Sequence, residues 1–373
     1  MEEGEQAYEN KIKIFGRKVK KMDRTYLKTV IMYCVKELQG QRTIYSILHL
    51  LNGKKSSQTI QDAHLFQLTQ LFRTFGSLSR DALDHLSQEI ESRSWMTAAD
   101  EKHYILTAEG KEELERSLLE CPIPSSLNGW LYHSAADLFW ERITLLIQVI
   151  SHLNNDNVKY LPIQRKRDVH EWLKYFLRTS GFARNEIGSV LNRELCQCLE
   201  RLRDINPAVL TLRLSGYNRI GLTAVQASEH LGISQDYYHH QFLGAIHHIL
   251  ASVKENAAGY PLIDKLVCGA GNEVQLTLSA QKTYTLLKQG LDLDVIAKTR
   301  KLKKSTIEDH VVEVALNDSG FNITRYVSER KQKLILQAAN SADSLQLKQI
   351  RQMVPESDYF EIRLVMAKLG EGQ

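Results

Sequence analysis

The sequence is poor in the features that export, membrane insertion and most catalysis require. Its five cysteines (Cys34, Cys121, Cys196, Cys198, Cys268) are odd in number and scattered, and only Cys196 and Cys198 are close, with one residue between them. No zinc spacing of paired cysteines or of Cys with His appears, so they read as reduced thiols of a cytosolic core and no metal is expected. The paired histidines His239-His240 and His247-His248 have no neighbouring carboxylates or cysteines to complete a metal shell, and read as surface or packing residues. A long apolar run is missing too: Leu138 to Leu153 carries Glu141 and Arg142 and falls short of the roughly 20 apolar residues that span a bilayer. That stretch reads as a buried helix, with no membrane partner. The opening Met1-Glu2-Glu3-Gly4-Glu5-Gln6 has neither a basic nor an apolar segment of the kind a secretory signal needs, which predicts a cytoplasmic protein.

Nucleotide-driven chemistry lacks its parts as well. Gly53-Lys54-Lys55-Ser56 begins like the end of a phosphate-binding loop, but the glycine needed five positions earlier is Leu48, and a second Lys stands where the hydroxyl residue belongs. A Walker B strand and an Asp-Glu-x-His box are absent, and no Ser-His-Asp order or carboxylate cluster stands out. The expectation is a non-enzyme without cofactors.

Only 6 prolines and 20 glycines interrupt 373 residues, of which 43% are apolar, enough for two or three compact domains. Apolar residues recur at helical spacing, as in Leu83, Leu86 and Ile90, or Ile143, Leu146, Ile147 and Ile150. Strand patterns are few: Tyr104-Ile105-Leu106-Thr107 is the clearest and Glu273 to Leu278 a weaker one. The expected class is all-α, with one or two small wings. Breaks at Cys121-Pro122-Ile123-Pro124-Ser125-Ser126, and at Ala257-Ala258-Gly259-Tyr260-Pro261 followed by Gly269-Ala270-Gly271-Asn272, divide the chain into expected domains at 1–121, 126–257 and 274–373.

The net charge is only +4, so any affinity for a polyanion must be local. Between Ser279 and Leu369 there are 15 Lys and Arg against 11 Asp and Glu, leaving 33 of each elsewhere, so the whole excess lies in the last quarter. There a helix from Ala280 to Gln289 is closed by Gly290, a short run follows from Leu293 to Thr299, and a third begins at Ser305-Thr306-Ile307-Glu308. That tetrad has the form of a capping box, and Ile307, Val311 and Val314 or Ala315 should face inward. The order is that of a helix-turn-helix. Five cations crowd the seven residues Lys298-Thr299-Arg300-Lys301-Leu302-Lys303-Lys304, at a helix N-terminus where the macrodipole and free amides also favour phosphate. Lys298, Arg300, Lys301, Lys303, Lys304, Ser305 and Thr306 are therefore candidate DNA contacts. The third helix offers Glu308, Asp309, His310 and Glu313 and no Arg, Asn or Gln for purine edges, which points to phosphate gripping or protein docking. Further on, Arg325, Arg330, Lys331 and Lys333 surround a helix from Ser328 to Ala339, and runs at Ser344 to Val354 and Tyr359 to Leu369 close the segment.

Leu278-Ser279 through Leu316, with Gly290, Val295-Ile296-Ala297 and Ser305 to His310, resembles the helicase helix-turn-helix domain at the C-terminus of several RecQ-type helicases. Leu347-Lys348-Gln349-Ile350 and Asp358 to Val365 look like its closing helices. This resemblance implies binding to DNA or to a partner beside a helicase, without catalysis. Nearer the start, helices are expected at Lys28 to Leu38, Thr43 to Leu51, Thr59 to Phe75 and Ser79 to Arg93, then a short hairpin and another helix opened by Thr107-Ala108-Glu109-Gly110-Lys111. Together with Leu51 to Ser56, this order resembles the winged-helix domain that follows the motor in RecQ helicases. The resemblance implies a wing that contacts duplex ends through Lys102, His103 and Tyr104, with Tyr104 either stacking on an end base pair or packing inward. In the middle, a helix ending at Gly232 and a capped one from Ser234 suggest a second helix-turn-helix, whose face (Gln235, Tyr238, His239, Gln241) fits a partner as well as DNA. Arg165-Lys166-Arg167 is a further phosphate site or a solvated helix start. Taken whole, the chain resembles the YpbB-type helix-turn-helix proteins.

The expected function is a non-catalytic DNA-binding accessory protein of a RecQ-type helicase, acting in repair, recombination or replication at the bacterial nucleoid. Its expected partners are DNA and that helicase, with the oligomeric state open. The alternative is a helix-turn-helix transcription regulator, for which a dimer and a palindromic site would be expected.

Overall fold

The structure is a computed structural model that describes residues 25–157, 159–268, 276–318, 320–341 and 347–369. The break at Gly269 to Asn272, and the first half of the expected strand at 273–278, lie outside those residues. Leu278 itself begins a helix.

Among the described residues there are eighteen α-helices and one two-stranded sheet, so the protein is all-α. The helices are α1 (Thr25–Leu38), α2 (Ile44–Leu51), α3 (Ser57–Leu65) and α4 (Arg80–Ser92). The hairpin β1 (Met96–Asp100) and β2 (His103–Leu106) follows, then α5 (Ala108–Glu120), α6 (Gly129–Leu153), α7 (Arg167–Thr179), α8 (Arg184–Leu199), α9 (Ala208–Thr211), α10 (Ala224–Leu231), α11 (Gln235–Glu255) and α12 (Pro261–Val267). The last six are α13 (Leu278–Lys288), α14 (Leu293–Arg300), α15 (Lys304–Asn317), α16 (Glu329–Ser341), α17 (Leu347–Met353) and α18 (Tyr359–Leu369). One expected helix is broken: the run from Thr59 to Phe75 stops at Leu65, because Gln67 and Arg73 take left-handed backbone (φ 54° and 58°) around a 3-10 turn at Thr69–Leu71. The amides of Arg73 and Phe75 bond instead to the carbonyls of Leu50 and Leu51 at 2.9 and 3.0 Å, which replaces the lost helical bonds.

Two compact units are formed. Among the described residues the first takes 25–33, 84–97 and 106–268, and its core is centred on α6 and α11, with α7, α8 and α12 packed around them. The short α12 is held at both ends by opposite charges. At its N-terminus the buried Glu194 carboxylate, 1% exposed, accepts the amides of Leu262 (3.1 Å) and Ile263 (2.9 Å). At its C-terminus Arg142 donates to the carbonyls of Leu266 (2.7 Å) and Cys268 (2.8 Å). Both charges complement the helix dipole.

Thr107 opens α5 by accepting the Gly110 amide at 3.0 Å, while its own amide donates to the Trp95 carbonyl at 3.1 Å. A Cβ on Gly110 would lie 1.8 Å from that same carbonyl oxygen, so only glycine allows the approach. The second unit takes 34–83, 98–105 and the described residues from 276 to 369. Its centre is α15, against which α3, α13, α14 and α18 pack, with α16 and α17 against α18.

Candidate nucleic-acid interface

The expected three-helix order is present as α13, α14 and α15. Gly290 takes the left-handed conformation after α13 (φ 82°), as its position suggested. Between α14 and α15 the left-handed residue is a lysine: Lys301 has φ 52° and ψ 43°, and its amide bonds to the Lys298 carbonyl at 3.2 Å. The capping box expected at Ser305 and Glu308 does not form. Helix α15 begins one residue earlier, at Lys304, so Ser305 sits inside the first turn, and the extended Lys303 at the cap position offers no side-chain acceptor. The amides of Thr306 and Ile307 bond to the Lys303 carbonyl at 3.0 and 3.3 Å, and no side chain caps those of Lys304 and Ser305. A capping box occurs instead in the central segment, where Thr223 and Gln226 exchange hydrogen bonds across the first turn of α10.

The cations of the turn separate into two kinds. Lys298, Lys301, Lys303 and Lys304 are exposed, as is Ser305, whereas Thr306 is half-buried. Lys304 pairs with Asp294 at 3.1 Å, both side chains being largely exposed, so the attraction is weak and easily exchanged for another anion. Arg300 is different. Its guanidinium donates to the Ser279 carbonyl at 2.6 Å, to the Ser279 hydroxyl at 3.0 Å and to the Thr283 hydroxyl, holding the start of α13. It is a fixture of the fold.

Past its first turn α15 is enclosed. Ile307, Val311, Val314 and Ala315 face inward as expected, and so does Val312. His310 and Glu313, expected on the reading face, are also buried, which removes them from any groove contact. The Glu313 carboxylate accepts the amide of Thr277 and, at 3.1 Å, its hydroxyl, fixing the residue that caps α13. Burial raises its pKa, while these hydrogen bonds and the field of Lys55 oppose the rise. His310 accepts from or donates to the Thr283 hydroxyl at 2.9 Å, and burial followed by the nearby Arg300 charge lowers its pKa. Asp309 is engaged by Arg363. What α15 shows most fully to solvent is its basic N-terminal turn, followed by the half-buried Glu308 and Asp309.

The other candidate contacts lie elsewhere. Lys102 is exposed at the tip of the β1–β2 hairpin with φ 60°, and its carbonyl accepts the Ile44 amide at 2.8 Å. His103 forms a bridge with Thr43, and Tyr104 is half-buried. On the central helix-turn-helix, Gly232 ends α10 in left-handed conformation and Ser234 caps α11, as expected. Of its expected face, Gln235 and His239 are exposed, while Tyr238 and Gln241 are buried in the core of the first unit. His240 and His247 are buried there too. Sequence reasoning missed Thr277 and Glu313: a Thr three residues before Ala280 signals a cap, but its carboxylate partner lies 36 residues away.

Among the described residues no group of His, Cys, Asp and Glu could hold a metal ion, and no helix is long and apolar enough to cross a membrane. The five cysteines are unpaired.

The fold and the turn define an all-α helix-turn-helix protein, and a family described as a helix-turn-helix domain matches residues 279–366. Such a domain suggests DNA binding. Protein YpbB of Bacillus subtilis (strain 168) is 32% identical over 349 residues, 93% of this chain and 98% of that protein. The chain belongs to the YpbB family. No solved structure matches it.

Proposed function

We propose that the chain is a non-catalytic DNA-binding accessory protein of a RecQ-type helicase, supplying in trans modules that other such helicases carry in the same polypeptide. The observation that carries this reading is the uncapped N-terminus of α15, surrounded by the exposed Lys298, Lys301, Lys303 and Lys304. Helix dipole, free amides and ammonium groups there all favour a phosphate, and Ser305 and Thr306 add hydroxyl donors. Since α15 is enclosed beyond that turn, it grips the backbone and does not read base edges. This favours structure-dependent binding over the sequence-specific binding that a transcription regulator needs.

In the same reading, the hairpin tip at Lys102, His103 and Tyr104 is a wing that meets duplex ends. Residues 1–121, 126–257 and 274–373 are the winged-helix, central and helicase helix-turn-helix modules. The protein works without cofactors in the cytoplasm, at the nucleoid, during repair, recombination or replication. Gel shifts with random duplex, forked and single-stranded DNA, followed by unwinding assays with the cell's RecQ-type proteins, test it. Preference for forks and altered unwinding are expected. Strong preference for one palindrome, or neither association with the helicase nor an effect on it, overturns the reading.

A further inference from the structure

The first unit contains a feature that the helix-turn-helix reading does not use. Along the C-terminal half of α6, two loops are held so that they display aromatic rings. Gln148, buried, donates to the Leu161 carbonyl at 3.0 Å and accepts the Ile163 amide at 2.8 Å, which fixes the strand of chain that carries Tyr160. Ser151 accepts the Tyr217 amide at 2.9 Å. The tight turn that bears Tyr217 is closed by reciprocal hydrogen bonds between Gly216 and Arg219 at 2.9 and 3.2 Å, with Asn218 at φ 55° between them. His152 joins the two loops: its ring stacks on Tyr160 with centroids 4.0 Å apart and meets Tyr217 edge-on at 5.8 Å. Beside these rings Leu161 is 89% exposed and Ile220 92%.

The two loops themselves carry charge of one sign. Residues 157–167 contain Lys159, Arg165, Lys166 and Arg167 and no carboxylate, and residues 211–222 contain Arg213 and Arg219 and none either. Some of these are committed: Lys166 to Glu141, Arg167 to Glu171, and Arg213 to the rings of Trp140 and Phe242. Lys159, Arg165 and Arg219 are exposed and pair with no carboxylate among the described residues, though Arg219 donates to the Thr211 carbonyl at 3.1 Å, and the flanking carboxylates are Asp156 and Asp168. Rigidly displayed rings with exposed apolar neighbours and exposed cations suit a polyanion that also has flat faces to stack. A duplex hides its base faces; an unpaired strand offers them at every nucleotide.

We propose that this surface is a second nucleic-acid site, a stacking platform for single-stranded DNA or RNA. Tyr160 and Tyr217, braced by His152, receive bases, and Lys159, Arg165 and Arg219 receive phosphates.

The test is equilibrium binding of the full chain to labelled oligothymidylate and oligouridylate of roughly a dozen nucleotides. It is run in a background where Lys301, Lys303 and Lys304 are replaced by Ala, so that the basic turn contributes nothing. Tyr160→Ala and Tyr217→Ala should each weaken binding about tenfold, and Tyr160→Phe and Tyr217→Phe should retain it, since stacking needs the ring and not the hydroxyl. Replacing Lys159, Arg165 and Arg219 together by Ala should reduce the slope of log affinity against log salt by roughly 2, at about 0.7 per contact on a single strand. Circular dichroism melts verify that each variant is folded. Folded Ala variants that bind both strands like the parent overturn the proposal. So does loss of all strand binding in the basic-turn background alone, which would leave the turn as the site. Self-association abolished by Leu161→Ser and Ile220→Ser, with strand binding intact, would also overturn it by making the patch a contact between copies.

Discussion

Replacing Lys301, Lys303 and Lys304 together by Ala separates phosphate gripping from mere solvation of a turn. All three are exposed, and among the described residues their one ion pair is the weak one from Lys304 to Asp294, so the variant should fold and melt within about 1 kcal/mol of the parent. If each lysine neutralises one phosphate of a duplex, each loss removes about 0.9 from the slope of log affinity against log salt, or about 2.7 in all. A fourfold rise in salt should then cost the parent about 40-fold more affinity than the variant. Fluorescence anisotropy on several unrelated duplexes across a salt series gives the slope directly. The weakening should be alike for every duplex, because phosphates carry no base code. Arg300→Ala is the control: its hydrogen bonds to Ser279 and Thr283 hold α13, so it should lower stability by about 2 kcal/mol and leave the slope unchanged. An unchanged slope in the triple variant would refute phosphate contact at the turn, and weakening confined to one duplex would mean that bases are being read.

Three further outcomes follow from the packing. Glu194→Ala should lower the stability of the first unit by about 3 kcal/mol in denaturant melts, since two buried amides at the start of α12 lose their acceptor; a loss below about 1 kcal/mol would mean water replaces the carboxylate. Gly110→Ala should leave little folded protein by circular dichroism, because its Cβ falls 1.8 Å from the Trp95 carbonyl oxygen, and a variant that melts like the parent would refute that close approach. His247 is held neutral by burial first and by His133 and His239 second, its pKa pushed down to about 3, with its Nδ1 accepting the Asn128 amide at 3.0 Å. The unfolded chain therefore binds the extra proton, and stability should fall as pH drops from about 6.5 toward 3, by up to about 1.4 kcal/mol per pH unit. His247→Gln should flatten part of that dependence in melts across the range, and an unaltered pH profile would show that His247 is not the group responsible.

Local signals carried much of the architecture. The all-α class, the buried helix at Leu138 to Leu153, the ends at Gly232 and Gly290 and the cap at Ser234 each depend on residues within a turn or two of one another. Periodicity, left-handed glycine and short polar caps report such structure without help from distant chain. The same reasoning misplaced the cap of α15 by two residues. Ser305 and Glu308 have the form of a cap, but Leu302 bonds back to Ala297 at 3.0 Å and Lys303 takes the cap position instead. It also overran α3, where bonds from Arg73 and Phe75 to the end of α2 decide the path of the chain.

The basic turn itself was legible, because five cations in seven residues need no tertiary information to be seen. Which of them is free was not. Arg300 and Lys301 are neighbours of like charge, yet one is bound to Ser279 and Thr283 of another helix and the other stands in solvent. His310 and Glu313 look like a polar face on a helical wheel, but α15 is packed by four other helices that bury both. Tyr160 and Tyr217 are 57 residues apart, and only the packing of their loops on α6 gives them a common ring in His152. Sequence alone determined which stretches are helical, several of their ends, and where positive charge is concentrated, since those depend on neighbours along the chain. The tertiary structure decided which charges remain free to meet an anion and which rings share a surface, since burial and hydrogen-bond partners are set by residues that are distant in sequence.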